Sequence, residues 1–103
     1  MLAVLAADTH RSRVRPHGNY WLIRSPSLAD WPEQVRMVRV VQLTDGRPAL
    51  ETWLVDHAGR DGAGGYLGLA GISRDLAYLD AQGGRPKGYA GTALDRNVRL
   101  YLP

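Results

Sequence analysis

The sequence predicts an α+β fold, a mainly antiparallel β-sheet with a β-hairpin and one helix in its C-terminal part. Three observations predict it. Two strand-like runs, Val35–Leu43 and Ala49–Asp56, flank Asp45-Gly46, a dipeptide that supplies the positive φ angles tight turns need. A third run, Tyr20-Trp-Leu-Ile-Arg24, is aromatic and β-branched, and Pro26 ends it. Leu69, Ile72, Leu76 and Leu79 then recur at helical spacing.

Taken in order, Leu2 to Ala7 is a continuous apolar run that reads as a buried strand near the sheet, delivering Asp8 and His10 at its end. Arg11 to Asn19, interrupted by Pro16 and Gly18, reads as a basic loop. Ser27 to Pro32 is a connection that carries Asp30 and Trp31. In the second hairpin arm Ala49, Glu51, Trp53 and Val55 share one face, and Leu50, Thr52 and Leu54 the other. Apolar residues on both faces ask for cover on both sides. Gly59 to Gly68 reads as a flexible glycine-rich loop; it lacks the Lys-Ser/Thr pair of a phosphate-cradling loop. The helix is expected around Ser73–Ala81, stopped by Gln82-Gly83-Gly84 and Pro86. Residues 85–103 form a tail whose Val98–Leu102 segment is a candidate edge strand. Trp31 and Trp53 are assigned to the core.

The chain of 103 residues fits one small domain, 1–103, and its 45% hydrophobic and 22% charged content is that of a globular protein. Its formal net charge is +3, and Lys87 is the only lysine, so the positive charge is guanidinium. Bases and acids alternate along the chain, which gives a weakly positive surface and not a nucleic-acid-binding domain. Cysteine is absent, which excludes disulfides and thiolate metal sites. No apolar stretch suits a signal peptide or a membrane span, so a cytoplasmic location is expected. Gly-x-Ser-x-Gly is absent too, and no catalytic residue is assigned.

Asp8-Thr9-His10 is the sharpest chemical constellation. In extended backbone, residues two apart face the same side, so Asp8 and His10 can meet one cation. Oxygen and nitrogen donors together suit Mn²⁺, Zn²⁺ or Fe²⁺; the competing reading makes Asp8 a turn residue at a strand end. Arg11, Arg13 and Arg15 alternate and can flank a phosphate, or form a solvated loop. His17 and His57 are candidate additional ligands or acid–base groups, or simply structural.

Several words, in their order, resemble the C-terminal portion of an actinobacterial-type branch of the calcineurin-like metallophosphoesterases. They are Asp8-Thr-His-Arg-Ser-Arg-Val-Arg-Pro-His17, Tyr20-Trp21, Ser25-Pro-Ser-Leu-Ala-Asp-Trp-Pro-Glu-Gln34, Leu54-Val-Asp-His-Ala58, Ala77-Tyr-Leu-Asp-Ala-Gln-Gly-Gly-Arg-Pro86 and Asp95-Arg-Asn-Val-Arg99. The resemblance implies a two-metal hydrolase of phosphoric esters and places His10 at the second histidine of the closing Gly-His-x-His motif. Ala7 and Asp8 stand where Gly and the first His belong. The family's other ligand motifs are not in this chain, whereas two-metal phosphoryl transfer needs ions about 3.5–4 Å apart. The expectation is therefore a C-terminal fragment, inactive alone, binding one divalent metal through Asp8 and His10. The alternative is a non-catalytic, self-associating interaction module. The partners that follow are a second copy, joined through the Val35–Asp56 hairpin or the Val98–Leu102 edge, or a complementary N-terminal phosphoesterase lobe.

Overall fold

The computed structural model describes residues 1–7, 9–56, 69–80 and 89–102. The fold is α+β and mainly antiparallel, as the hairpin and helix spacing predict. Its strands are β1 (Ala3–Ala6), β2 (Arg13–His17), β3 (Tyr20–Arg24), β4 (Val35–Gln42), β5 (Pro48–Val55) and β6 (Val98–Tyr101). Among the described residues, helices α1 (Leu69–Leu79) and α2 (Ala93–Arg96) precede β6. The strands form two three-stranded sheets, β1-β3-β2 and β4-β5-β6. The first pairs β1 parallel to β3 and β2 antiparallel to it; the second is wholly antiparallel.

The segment read as a basic loop is instead a strand. Gly18, at φ 60, turns the chain so that Arg13–His17 folds back on Tyr20–Arg24. Val14 is the anchor, buried at 4% between two solvent-facing arginines. Pro16 is tolerated because β2 is an edge strand, where a missing N–H breaks no ladder.

Between the sheets, Val14 and Ile23 of the first meet Leu50 and Leu100 of the second, with Ala3, Trp21, Val38 and Val98 packed around them. The Trp21 indole N–H donates to the Tyr101 carbonyl at 2.9 Å and ties β3 to β6. The β4–β5 turn needs only one left-handed residue, Gly46 at φ 85, while the Asp45 carboxylate accepts from the Arg47 amide. The outer face of the second sheet is crossed by an ion triad, in which Glu51 accepts from Arg39 on β4 and Arg99 on β6. Arg39 also lies over the Trp53 ring at 5.5 Å, so Trp53 belongs to this face and not to the core between the sheets.

Helix α1 spans the whole Leu69–Leu79 apolar stripe, beginning and ending earlier than the expected Ser73–Ala81. Leu76 and Leu79 are 61% and 80% exposed, while Ala77 is buried. Ile72, Ser73, Leu76, Ala77 and Asp80 line a groove of about 420 Å³ with Ala29, Asp30, Trp31 and Glu33. No helix among the described residues is long and apolar enough to cross a membrane. The expected glycine-rich loop and the helix stop at Gln82–Pro86 lie outside the described residues.

Candidate functional site

Parallel pairing decides where the candidate residues go. Strands β1 and β3 run the same way, so the segments that follow them leave from one end of the sheet. The Ser25 amide extends that pairing to the Ala6 carbonyl at 2.8 Å. His10 follows β1, and Asp30 follows β3. Nδ1 of His10 lies 2.8 Å from Oδ2 of Asp30, with both side chains partly exposed. His10 adopts φ 55, the left-handed region in which His is enriched among non-glycine residues. Asp30 is held by a local device, since the Ser27 hydroxyl accepts from the amides of Ala29 and Asp30 at 3.1 and 3.0 Å.

An ionised carboxylate only accepts hydrogen bonds, so the shared proton sits on Nδ1. In that tautomer Nε2 is the ring atom whose lone pair can bind a metal. Among the described residues no three His, Cys, Asp or Glu side chains come together to hold a metal ion. Asp8 and His57 lie outside the described residues. His17 does not join His10. It ends β2 at the hairpin, four residues from Arg13 or roughly 13 Å along the strand, and its ring packs on Tyr20 with centroids 5.0 Å apart.

Arg11, Arg13 and Arg15 together line a groove of about 240 Å³ with Ser12, Gly91, Thr92 and Asp95. The Arg11 guanidinium also stacks over Tyr89 at 4.7 Å. Arg13 and Arg15 stay on the outward face of β2, where Arg13 is the cross-strand partner of Arg24 and Arg15 that of Leu22. These four side chains line a groove of about 130 Å³. Arg15 pairs with Asp95 at 2.5 Å.

Asp95 is the structural centre beside this groove. Oδ1 accepts from the Val14 amide at 2.9 Å, and Oδ2 accepts from the Thr92 amide and hydroxyl at 3.0 and 2.8 Å. Burial alone would push its carboxyl up, but the Val14 and Thr92 donors, with Arg15, outweigh that and hold it at about 2. Its backbone carbonyl accepts from the Ser12 hydroxyl and from Arg36. Arg36 also donates to Thr52, Ser12 and the Arg96 carbonyl. Burial lowers the Arg36 guanidinium from its usual value, and Asp95 pulls it partly back. Gly91 is obligatory here: its φ is 72, and a Cβ would come within 2.6 Å of both the Asp95 Cβ and the Ser12 carbonyl oxygen.

Sequence reading missed Asp30, Arg24 and this role for Asp95. Ser27-Ser/Thr-turn chemistry three residues before Asp30 was a usable signal, as was the Thr92-x-x-Asp95 capping pattern. Arg24 carried none, because only the β2–β3 register sets it opposite Arg13. No protein-family model, no curated protein and no solved structure matches this chain.

Proposed function

We propose that this chain is the C-terminal part of a metallophosphoesterase-like hydrolase of phosphoric esters, contributing His10 to a divalent-metal site and inactive without a complementary N-terminal lobe. The His10–Asp30 pair supports this reading. Metal-binding imidazoles characteristically give their other ring N–H to a carboxylate, which fixes the tautomer and raises the basicity of the donor nitrogen. Here that arrangement stands at the end of a parallel strand pair. The described donors amount to one imidazole and do not by themselves fit a two-metal centre. This chain's part is then to hold one imidazole in one tautomer for Mn²⁺, Zn²⁺ or Fe²⁺, with further ligands supplied elsewhere.

Calorimetric titration of the purified chain with Zn²⁺ and with Mn²⁺ tests the reading. Weak one-site binding is expected, lost in His10→Ala and weakened about tenfold or more in Asp30→Asn. Hydrolysis of p-nitrophenyl phosphate or its bis ester is expected to be absent with any of the three metals. Binding that ignores both substitutions overturns the metal role of His10; turnover that vanishes in His10→Ala overturns the need for a second lobe.

A second reading, a self-associating module, is favoured by the outer face of the β4-β5-β6 sheet. Val35, Met37, Val55 and Tyr101 share that face and are 39%, 43%, 46% and 57% exposed. Apolar surface of this kind marks interaction sites. Light scattering separates the readings: a dimer that persists without metal and is broken by Met37→Glu supports the module.

A further inference from the structure

The groove on the outward face of the β1-β3-β2 sheet has a charge pattern that folding does not explain. Arg13 and Arg24 are direct cross-strand partners, and like charges placed opposite each other destabilise a sheet. Arg15 joins them on the same face, one pleat along β2. Among the described residues, one carboxylate answers these three guanidiniums, that of Asp95, and it is committed to Arg15. Arg13 and Arg24 have no acidic partner among the described residues. Nε of Arg24 is enclosed by protein and still makes no hydrogen bond there. The Arg24 terminal nitrogens make no hydrogen bond to a described residue either, and they, not the enclosed Nε, are what a ligand in the groove can reach.

We propose that the Arg13–Arg15–Arg24 groove is a binding site for a phosphate group, of the phosphate monoester class. Three guanidiniums and one carboxylate leave a local charge of about +2, which a monoester dianion neutralises. Guanidinium presents N–H donors in a planar fork that matches phosphate oxygens. A volume of about 130 Å³ equals roughly four waters and falls well short of the ~300 Å³ of a small-molecule pocket. It therefore takes the phosphate group itself and leaves the rest of the ester outside. Leu22, the fourth wall, gives an apolar surface for the ester carbon next to the phosphate. Arg11 lines the adjoining groove with Arg13 and Arg15 and not this one, and its guanidinium stacks over Tyr89. The site needs no metal, and it stands whether or not the chain belongs to a phosphoesterase.

The experiment is an NMR titration of the ¹⁵N-labelled full chain, following the arginine Nε–H signals. Inorganic phosphate and phenyl phosphate are added in separate arms, with sodium chloride at matched ionic strength and no divalent metal. Saturable shifts centred on Arg13, Arg15 and Arg24 are expected with both phosphates and not with chloride. Phenyl phosphate binding more tightly marks a monoester site; equal affinities mark one for free phosphate and overturn the monoester assignment. Arg24→Lys keeps the charge but loses the fork, and it is expected to weaken binding about tenfold, as is Arg13→Ala. Arg47→Ala, on the β4–β5 turn, is expected to change nothing. Shifts that track ionic strength alone, or an Arg47→Ala loss equal to that of Arg24→Lys, overturn the site. Because wild-type saturation is decisive by itself, a variant that fails to fold does not shelter the proposal.

Discussion

Arg36 and Arg24 are both half-buried arginines on sheet strands, and in both the Nε is enclosed without a partner. Their terminal nitrogens differ completely. Those of Arg36 donate to Thr52, Ser12 and the carbonyls of Asp95 and Arg96, tying the second sheet to α2 and to the residue that precedes β2. Those of Arg24 make no bond to any described residue and face two more guanidiniums. One arginine is used up by the fold; the other is left for something outside it. Residue type, burial and strand position are alike, so only the inventory of partners tells a structural cation from a binding one.

Arg36→Met should show the largest effect. Methionine keeps the apolar stem but leaves the Arg96 carbonyl without its donor, takes one of two partners from the Asp95 carbonyl and the Ser12 hydroxyl, and removes the donor to Thr52. The expected loss is roughly 2–4 kcal/mol, a large share of what a small domain holds. Urea unfolding measures it, and a loss near zero would mean that the junction is solvated and does not hold these elements together.

Asp95 tests the same junction through pH. Its carboxyl is held at about 2 when folded against an ordinary 3.8, so the folded state favours the ionised form. That stabilisation is complete above about pH 4 and is lost as pH falls through about 2. Allowing for solvent screening, it amounts to roughly 1–2 kcal/mol. Asp95→Asn should lower stability at neutral pH and flatten the acid limb of the stability–pH curve. An unchanged acid limb would place the titration in other carboxylates.

How much of this was legible in the sequence follows the range of the interactions. The hairpin was readable because Asp45-Gly46 acts within four residues, and the faces of β5 because side chains alternate. The β6 edge strand was readable from a short β-branched and aromatic run. Strand β2 was hidden because one buried valine among arginines carries almost no periodic signal; its strandness comes from Ile23 and Leu50, far along the chain. The division into two sheets was hidden for the same reason. His10 could be singled out from Asp8-Thr-His10, but its partner Asp30 lies twenty residues away, across a parallel pairing that local pattern does not encode. Arg11, Arg13 and Arg15 could be grouped by spacing, and they line one groove. Register adds Arg24 opposite Arg13, which spacing could not show.

The smallest expected effect belongs to Arg24→Met, and its sign is what matters. Removing this guanidinium ends the repulsion with Arg13 and deletes a donor that has no partner. Stability in dilute chloride buffer should hold or rise by no more than about 1 kcal/mol, with the gain fading as salt screens the pair. Phosphate reverses the order of the two proteins. It stabilises wild type by binding only the folded state, and it should leave Arg24→Met unmoved. Thermal melts of both proteins at fixed ionic strength, with and without phosphate, read this directly. A loss as large as that of Arg36→Met would show that Arg24 supports the fold after all, and the contrast between the two arginines would collapse.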